Sequence, residues 1–545
     1  MNSRNSGFAA AVVVALLAAG CGGGGGGGGG SDGASSAPTS PPPQATVTIT
    51  PKGPVTASVA AGEPVAAVLE GTWQATNLPA GGVVYLRVND PSGTFANPAV
   101  QAAPGNGTFR YDLTAKDPVL SGDHTGQIEI TACRDAACAQ TWGNAVRVDF
   151  RVAVATLGEW QTINRDATHT SFVPTNIDPT RLQVAWEWDA PAVPGAAELY
   201  VGRPATTQGS LILVAGATMA DGSQRNTMIS LNELDGSLRW NRRVADGIRA
   251  VAPASNGELA YLVTVGNDTL ITALDGKTGK VAFTYAQTTS PTAAIVAPTE
   301  DRGQLFFFAG PDGNELHAID ARNGSPLWTL PRYELQLTTP TLDDGGHLYF
   351  RSGATIDVVD RRGSGYSAPF FDYDSDGTLL PGTVTMAYGP HADLIGHSFT
   401  PARGARLSSF NVIGGAKNWI TQYSYNSFFA VGNSAVYAQR AGQLPPTLEA
   451  MDEKTSRILW TWVAPGTEQQ TRFINNVVAT NNVVFVSTEN STSGRGFLWG
   501  IDAKTGQTLW RQDNGGYVVI SGSRTVYVVS ENGSNLDHIR AMRVQ

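Results

Sequence analysis

Asp372, Asp374 and Asp376 alternate along FDYDSDGTLL and are followed by Gly377. Hard oxygen ligands at such spacing can wrap a divalent cation, so the stretch reads as the first half of a calcium loop in which the ion would add rigidity. A complete twelve-residue loop would end in Glu; Thr383 stands there, and the stretch reads equally as a solvated Asp-rich connection. Cys133 and Cys138, in ITACRDAACAQTW, have the spacing of a disulfide pinning a hairpin tip. With only His124 nearby, they lack both the further ligands of a metal site and the orienting group of a Cys/His nucleophile. The later histidines, His169, His317, His347, His391, His397 and His538, form no HExxH pair, and the propeller has no GxSxG serine. Asp502, Lys504 and Thr505 gather on one turn and look at first like a site.

That turn is one copy of a repeat. GIDAKTGQTLW, residues 500–510, is a strand end, a reversal and a second strand, in which Asp502 can fold back onto backbone N–H groups and Gly506 supplies a positive φ. The register returns at 231–240, 274–283, 319–328, 410–419 and 451–460. Each copy has Asp or Asn after an apolar residue and ends in a large aromatic; Gly fills the turn in all but one, where Ser456 stands. The markers are Trp186, Trp240, Phe283, Trp328, a degenerate site near Phe370, Trp419, Trp460 and Trp510, spaced about 46 residues apart, in the range of four-stranded propeller blades. Trp186 lies in an aromatic strand with no inner strands before it, and the chain stops at HIRAMRVQ, a strand with no aromatic strand after it. Three C-terminal strands and one N-terminal strand therefore complete an eighth blade, and closure removes exposed sheet edges. The fold class is all-β: an eight-bladed propeller over 156–545, preceded by a sandwich.

The sandwich spans 46–155, where VVYLRV, GTFRYDL, QIEIT and VRVDFRV alternate apolar and polar residues. It resembles bacterial immunoglobulin-like or fibronectin-like modules in length and strand rhythm. Before it, residues 1–20 read as a signal peptide with Arg4 and an apolar run too short to span a bilayer. Its end, LLAAGC, resembles the lipobox of bacterial lipoproteins. That implies lipidation of Cys21, with Gly22 implying sorting to the outer membrane. Residues 21–45, with nine consecutive glycines and then Ser and Pro, form a tether. A net charge of −9 without a Lys/Arg cluster argues against a nucleic-acid partner.

The repeated turn with its trailing aromatic resembles the PQQ-like β-propellers, and WQTINRDATHTSFVP, residues 160–174, is similar to the family's lead-in segment. The resemblance implies that Trp186, Trp240, Phe283, Trp328, Trp419, Trp460 and Trp510 dock between blades, and that Arg165, Asp166 and His169 lock the first strand onto the barrel. The family includes quinone-dependent dehydrogenases, which carry an adjacent-cysteine disulfide, calcium and a catalytic Asp. It also includes the non-catalytic lipoprotein of the outer-membrane β-barrel assembly complex. No cysteine follows Cys138, so the expectation is no enzyme, no PQQ and no catalytic residue, with calcium at Asp372, Asp374 and Asp376 the sole cofactor candidate. The expected protein is a monomeric propeller on an outer-membrane lipid anchor that binds an envelope protein partner. A quinoprotein dehydrogenase and a carbohydrate- or surface-polymer-binding module are the alternatives.

Overall fold

The structure is a computed structural model. It describes residues 44–544 apart from 61–63, 106, 117–118, 120–121, 156, 246–247, 251–252, 267, 289–296, 311–313, 332–338, 366–368, 375–376, 381–385, 401–403, 466–469, 491–495 and 533–534. The signal segment, Cys21, nearly all of the tether and Asp376 lie outside the described residues.

The N-terminal unit has two sheets around one core. Alternation decides which side of each strand is buried: along Val146–Ala155, Val148, Phe150, Val152 and Val154 face the core. Between them, Arg147 and Arg151 face solvent and pair with Glu129 and Asp123 at 3.1 and 2.8 Å. Val55–Ala60 adds to the same sheet in parallel beside Val146–Ala155. A disulfide joins Cys133 to Cys138 at the end of Gly122–Cys133.

The remaining strands form eight blades around an axis. Blades one to four span 205–243, 249–288, 299–331 and 341–371. Blades five and six share the continuous strand Lys417–Gly432, which leaves its blade-five partner at Ser424 and pairs with blade six from Tyr425. Blade seven spans 470–513. Blade eight combines Gly516–Ile520, Val526–Asn532 and Asn535–Val544 with Leu182–Asp189 as its outer strand, the last two pairing from Leu182↔Val544 to Asp189↔His538. The ends of the fold are thus stitched by an antiparallel ladder.

Each repeated turn follows the geometry its residues demand. In blade seven the Asp502 carboxylate accepts the N–H groups of Lys504 and Thr505 at 3.0 and 2.7 Å, and Gly506 N–H closes the turn onto Asp502 O. The turn also fastens blades together. The Trp240 ring covers Gly279 of blade two, where an added Cβ would lie 2.6 Å from the indole, and its N–H donates to Gly276 O at 3.0 Å. Positive φ and the ring's close approach together require glycine there. Equivalent indole bonds run from Trp186 to Glu233 O, Trp328 to Arg361 O, Trp419 to Glu453 O and Trp460 to Ala503 O. Phe283 and Phe370 cover Gly324 and Gly415 without a polar bond. In the turn without glycine, Ser456 takes φ 55°. Trp510 faces the split blade, which offers no such turn; Pro179, in the short 3-10 turn Pro179–Arg181, takes its place.

Candidate functional site

The two ends of the axis differ. At the end carrying the repeated turns, the lead-in segment crosses the axis and bonds to each blade in order. Leu157 donates to Gly522 O of blade eight, Trp160 exchanges bonds with Thr206 of blade one, and Gln161 O accepts from Ser255 of blade two. Thr162 donates to Pro298 O beside blade three, and the carbonyls of Ala167, Thr168, Thr170 and Ser171 accept from Leu342, Tyr388, Val431 and Ala479 of blades four to seven. The segment buries Trp160, Thr162, Arg165, His169 and Ser171. Turning this tightly puts Asn164, Arg165, His169 and Ser171 at positive φ, a strain that persists because so many bonds fix the path. Arg165 lies 3.0 Å from Asp166 and donates to Phe172 O at 2.5 Å. His169 Nδ1 faces Ile163 O, and Nε2 lies 3.0 Å from Pro340 O and 3.3 Å from the Thr299 hydroxyl; burial lowers the ring's pKa. Arg165 and Asp166 hold the segment's own turns, and His169 ties it to Thr299 and Pro340 beside blades three and four, while the bonds to the other blades come from its remaining residues.

Buried carboxylates sit at this sealed end. Glu159 accepts from the Thr206 hydroxyl at 2.5 Å and from Gly522 N–H at 3.1 Å. Burial, reinforced by nearby Glu233, pushes its carboxyl up to about 7. Burial also raises Glu233, which accepts from Ser521, and raises Glu453 to about 7. Glu233 and Glu453 hold the same place in their turns, directly after Asn232 and Asp452. That register was readable in the sequence, whereas the burial was not.

Among the described residues no serine or cysteine joins a histidine in a triad; His347 Nδ1 lies 2.9 Å from Asp343, which also accepts the Tyr349 hydroxyl. His391 Nε2 lies 3.0 Å from Ser434 Oγ and 3.7 Å from Glu453, so acid and hydroxyl share one nitrogen and the acid cannot orient the ring from the far side. His397 is buried and binds Asn426 O; His317 packs on Phe307. The aspartates near blade four are held by cations. Asp372 is buried, accepts from Arg351 and Ser398, and lies 2.5 Å from Lys417 Nζ. Asp374 lies 3.3 Å from Arg406. Both described carboxylates face guanidinium or ammonium groups. Among the described residues no three His, Cys, Asp or Glu side chains converge on a metal position.

The opposite end is chemically different and, among the described residues, holds an open recess. Arg203, on the inner side of blade one, reaches across the channel mouth, its guanidinium 5.0 Å from the Phe428 ring centre and 5.5 Å from that of Tyr517. Phe428 also lines a cavity of about 590 Å³ between blades six and seven, with Tyr425, Gln439, Arg440, Leu444 and Phe473. Arg440 stacks on Tyr423 at 3.6 Å and is steadied by Glu449 at 3.4 Å, which also accepts the Tyr425 hydroxyl at 2.5 Å. Neither arginine stood out in the sequence, because only folding brings these loops together.

Residues 173–367 and 394–537 match the family described as outer membrane protein assembly factor BamB. The chain belongs to this family. The unmatched interval, 368–393, is the degenerate part that carries Asp372. Quinohemoprotein alcohol dehydrogenase from Comamonas testosteroni is similar in structure, with 13% identity, a TM-score of 0.52, and 71% of this chain covering 80% of that one. BamB from Moraxella catarrhalis aligns with 12% identity and a TM-score of 0.46, over 66% of this chain and 99% of that one. The dehydrogenase likeness establishes the shared propeller architecture and nothing about activity. No curated protein sequence matches the chain significantly.

Proposed function

We propose that this BamB-family propeller is a non-enzymatic binding scaffold of the bacterial cell envelope, exported on a lipid anchor at Cys21 and engaging a protein partner in outer-membrane assembly. The observation that carries the reading is the contrast between the ends of the axis: one is filled by a segment bonded to every blade, and the other presents an open cavity flanked by stacked arginines. Membership of a family described as an outer-membrane assembly factor supports the envelope role.

The dehydrogenase reading finds less support. Both cysteines in the described residues belong to the sandwich, Arg203 lies across the channel mouth, and the Asp372 carboxylate is held by Arg351 and Lys417. These residues do not fit a quinone with a calcium partner. Incubation of the purified protein with PQQ and calcium tests this. No quinone absorbance retained after desalting and no alcohol-dependent dye reduction is expected; turnover of dye would overturn the proposal.

A further inference from the structure

We propose that the cavity between blades six and seven, with Arg203 beside it, docks an acidic peptide segment of a protein partner. The inference rests on the binding role above and names the chemistry that would occupy the site. None of the described residues lining the cavity is acidic, in a chain whose net charge is −9; Glu449 behind the wall offsets Arg440, so the excess positive charge beside the cavity is that of Arg203. A guanidinium so placed on an anionic protein draws carboxylates.

The two arginines are prepared for such groups. Ring stacking uses the flat face of a guanidinium and leaves its in-plane N–H donors at the edge, the geometry that takes a carboxylate bidentately. Arg440 is held so by Tyr423 and Glu449, and Arg203 by Phe428 and Tyr517. No carboxylate pairs with Arg203 among the described residues.

The rest of the lining favours a peptide over a sugar. Asn426 and Gln443 each present an amide, one donor group beside one acceptor, which matches the backbone of an extended peptide. Phe428, Leu444 and Phe473 offer apolar surface for its side chains, and Leu444 is 64% exposed. A polyhydroxylated ligand presents many O–H donors, for which side-chain carboxylates are the strong acceptors, and the wall provides none.

The test uses the purified full-length protein in detergent on an array of random short peptides. Bound peptides should be rich in Asp or Glu next to Leu or Phe. Arg440→Gln and Arg203→Gln should each weaken the best peptide by about tenfold or more, and Leu444→Ala should weaken those carrying Leu or Phe. Arg203→Gln and Leu444→Ala should keep the parent melting temperature. Arg440→Gln, which leaves buried Glu449 without its cation, should melt lower and is assayed well below its own melting temperature. Arg302→Gln, at the sealed end, should bind like the parent. A silent array, binding without acidic bias, or acidic binding unchanged in both arginine variants would overturn the proposal, as would displacement of the peptide by oligogalacturonate that binds more tightly. Protein crosslinks from another surface of the propeller, with a silent array, would sink this site alone; absence of any protein crosslink in native envelopes would sink the binding role itself.

Discussion

Replacing Glu159 by Gln should change how the propeller's stability depends on pH. The carboxyl is held at about 7 in the folded chain against an ordinary value of 4.5. Between those values the folded state keeps a proton that the unfolded state releases, so stability is greatest at low pH and falls as pH rises through the window. At about 1.4 kcal/mol per pH unit, the ionised group costs roughly 3 kcal/mol above pH 7. Glutamine keeps the shape and an oxygen to accept from Thr206 and Gly522, and it never ionises. The variant should match the parent near pH 4.5 and exceed it by about 3 kcal/mol near pH 8, which for about 390 propeller residues is roughly 4 °C in melting temperature. Thermal melts across this range would read the difference. Glu300 and Glu453, also raised to about 7 by burial, should leave both proteins with a residual downward slope. Parallel curves for parent and variant at every pH would refute the reasoning.

Trp186→Ala should cost about 3–5 kcal/mol, because it empties the buried contact with Gly236 and removes the indole bond to Glu233 O at the seam where the chain's ends meet; chemical denaturation measures it. Ser456→Gly should stabilise by about 1 kcal/mol in the same assay, since φ 55° costs any side chain and Ser456 alone carries one among the recognised turn copies. Asp372→Ala should destabilise by about 3–5 kcal/mol by leaving Arg351 buried without its partner. EDTA should leave the melting curve unchanged; a drop reversed by calcium would restore the calcium loop.

The architecture was legible because its signal repeats. A turn that needs Asp for its N–H groups and Gly for its φ writes both residues into every copy, and the orphan strand at Trp186 shows where closure must occur. Blade four was hard to place for the converse reason. Its turn shortens to Asp360–Gly363, and its outer strand is only Phe370–Phe371, yet Phe370 still covers Gly415. The chemistry was less legible. Spacing along the chain says nothing about what other strands bring near: Arg351, Lys417 and Arg406 meet Asp372 and Asp374 from other strands. Arg203 and Arg440 lie far apart in sequence and meet the Phe428 region only in three dimensions.

The central claim is that the open end binds a protein partner and the sealed end does not. A photo-crosslinking residue placed in turn at Leu444 and Gln443 on the open face, and at Arg302 and Lys504 on the sealed face, tests it in native envelopes, with the adducts identified by mass spectrometry. The account predicts a recurrent envelope protein captured from the open-face positions and not from the sealed-face ones. Capture from Arg302 and Lys504 alone would contradict it.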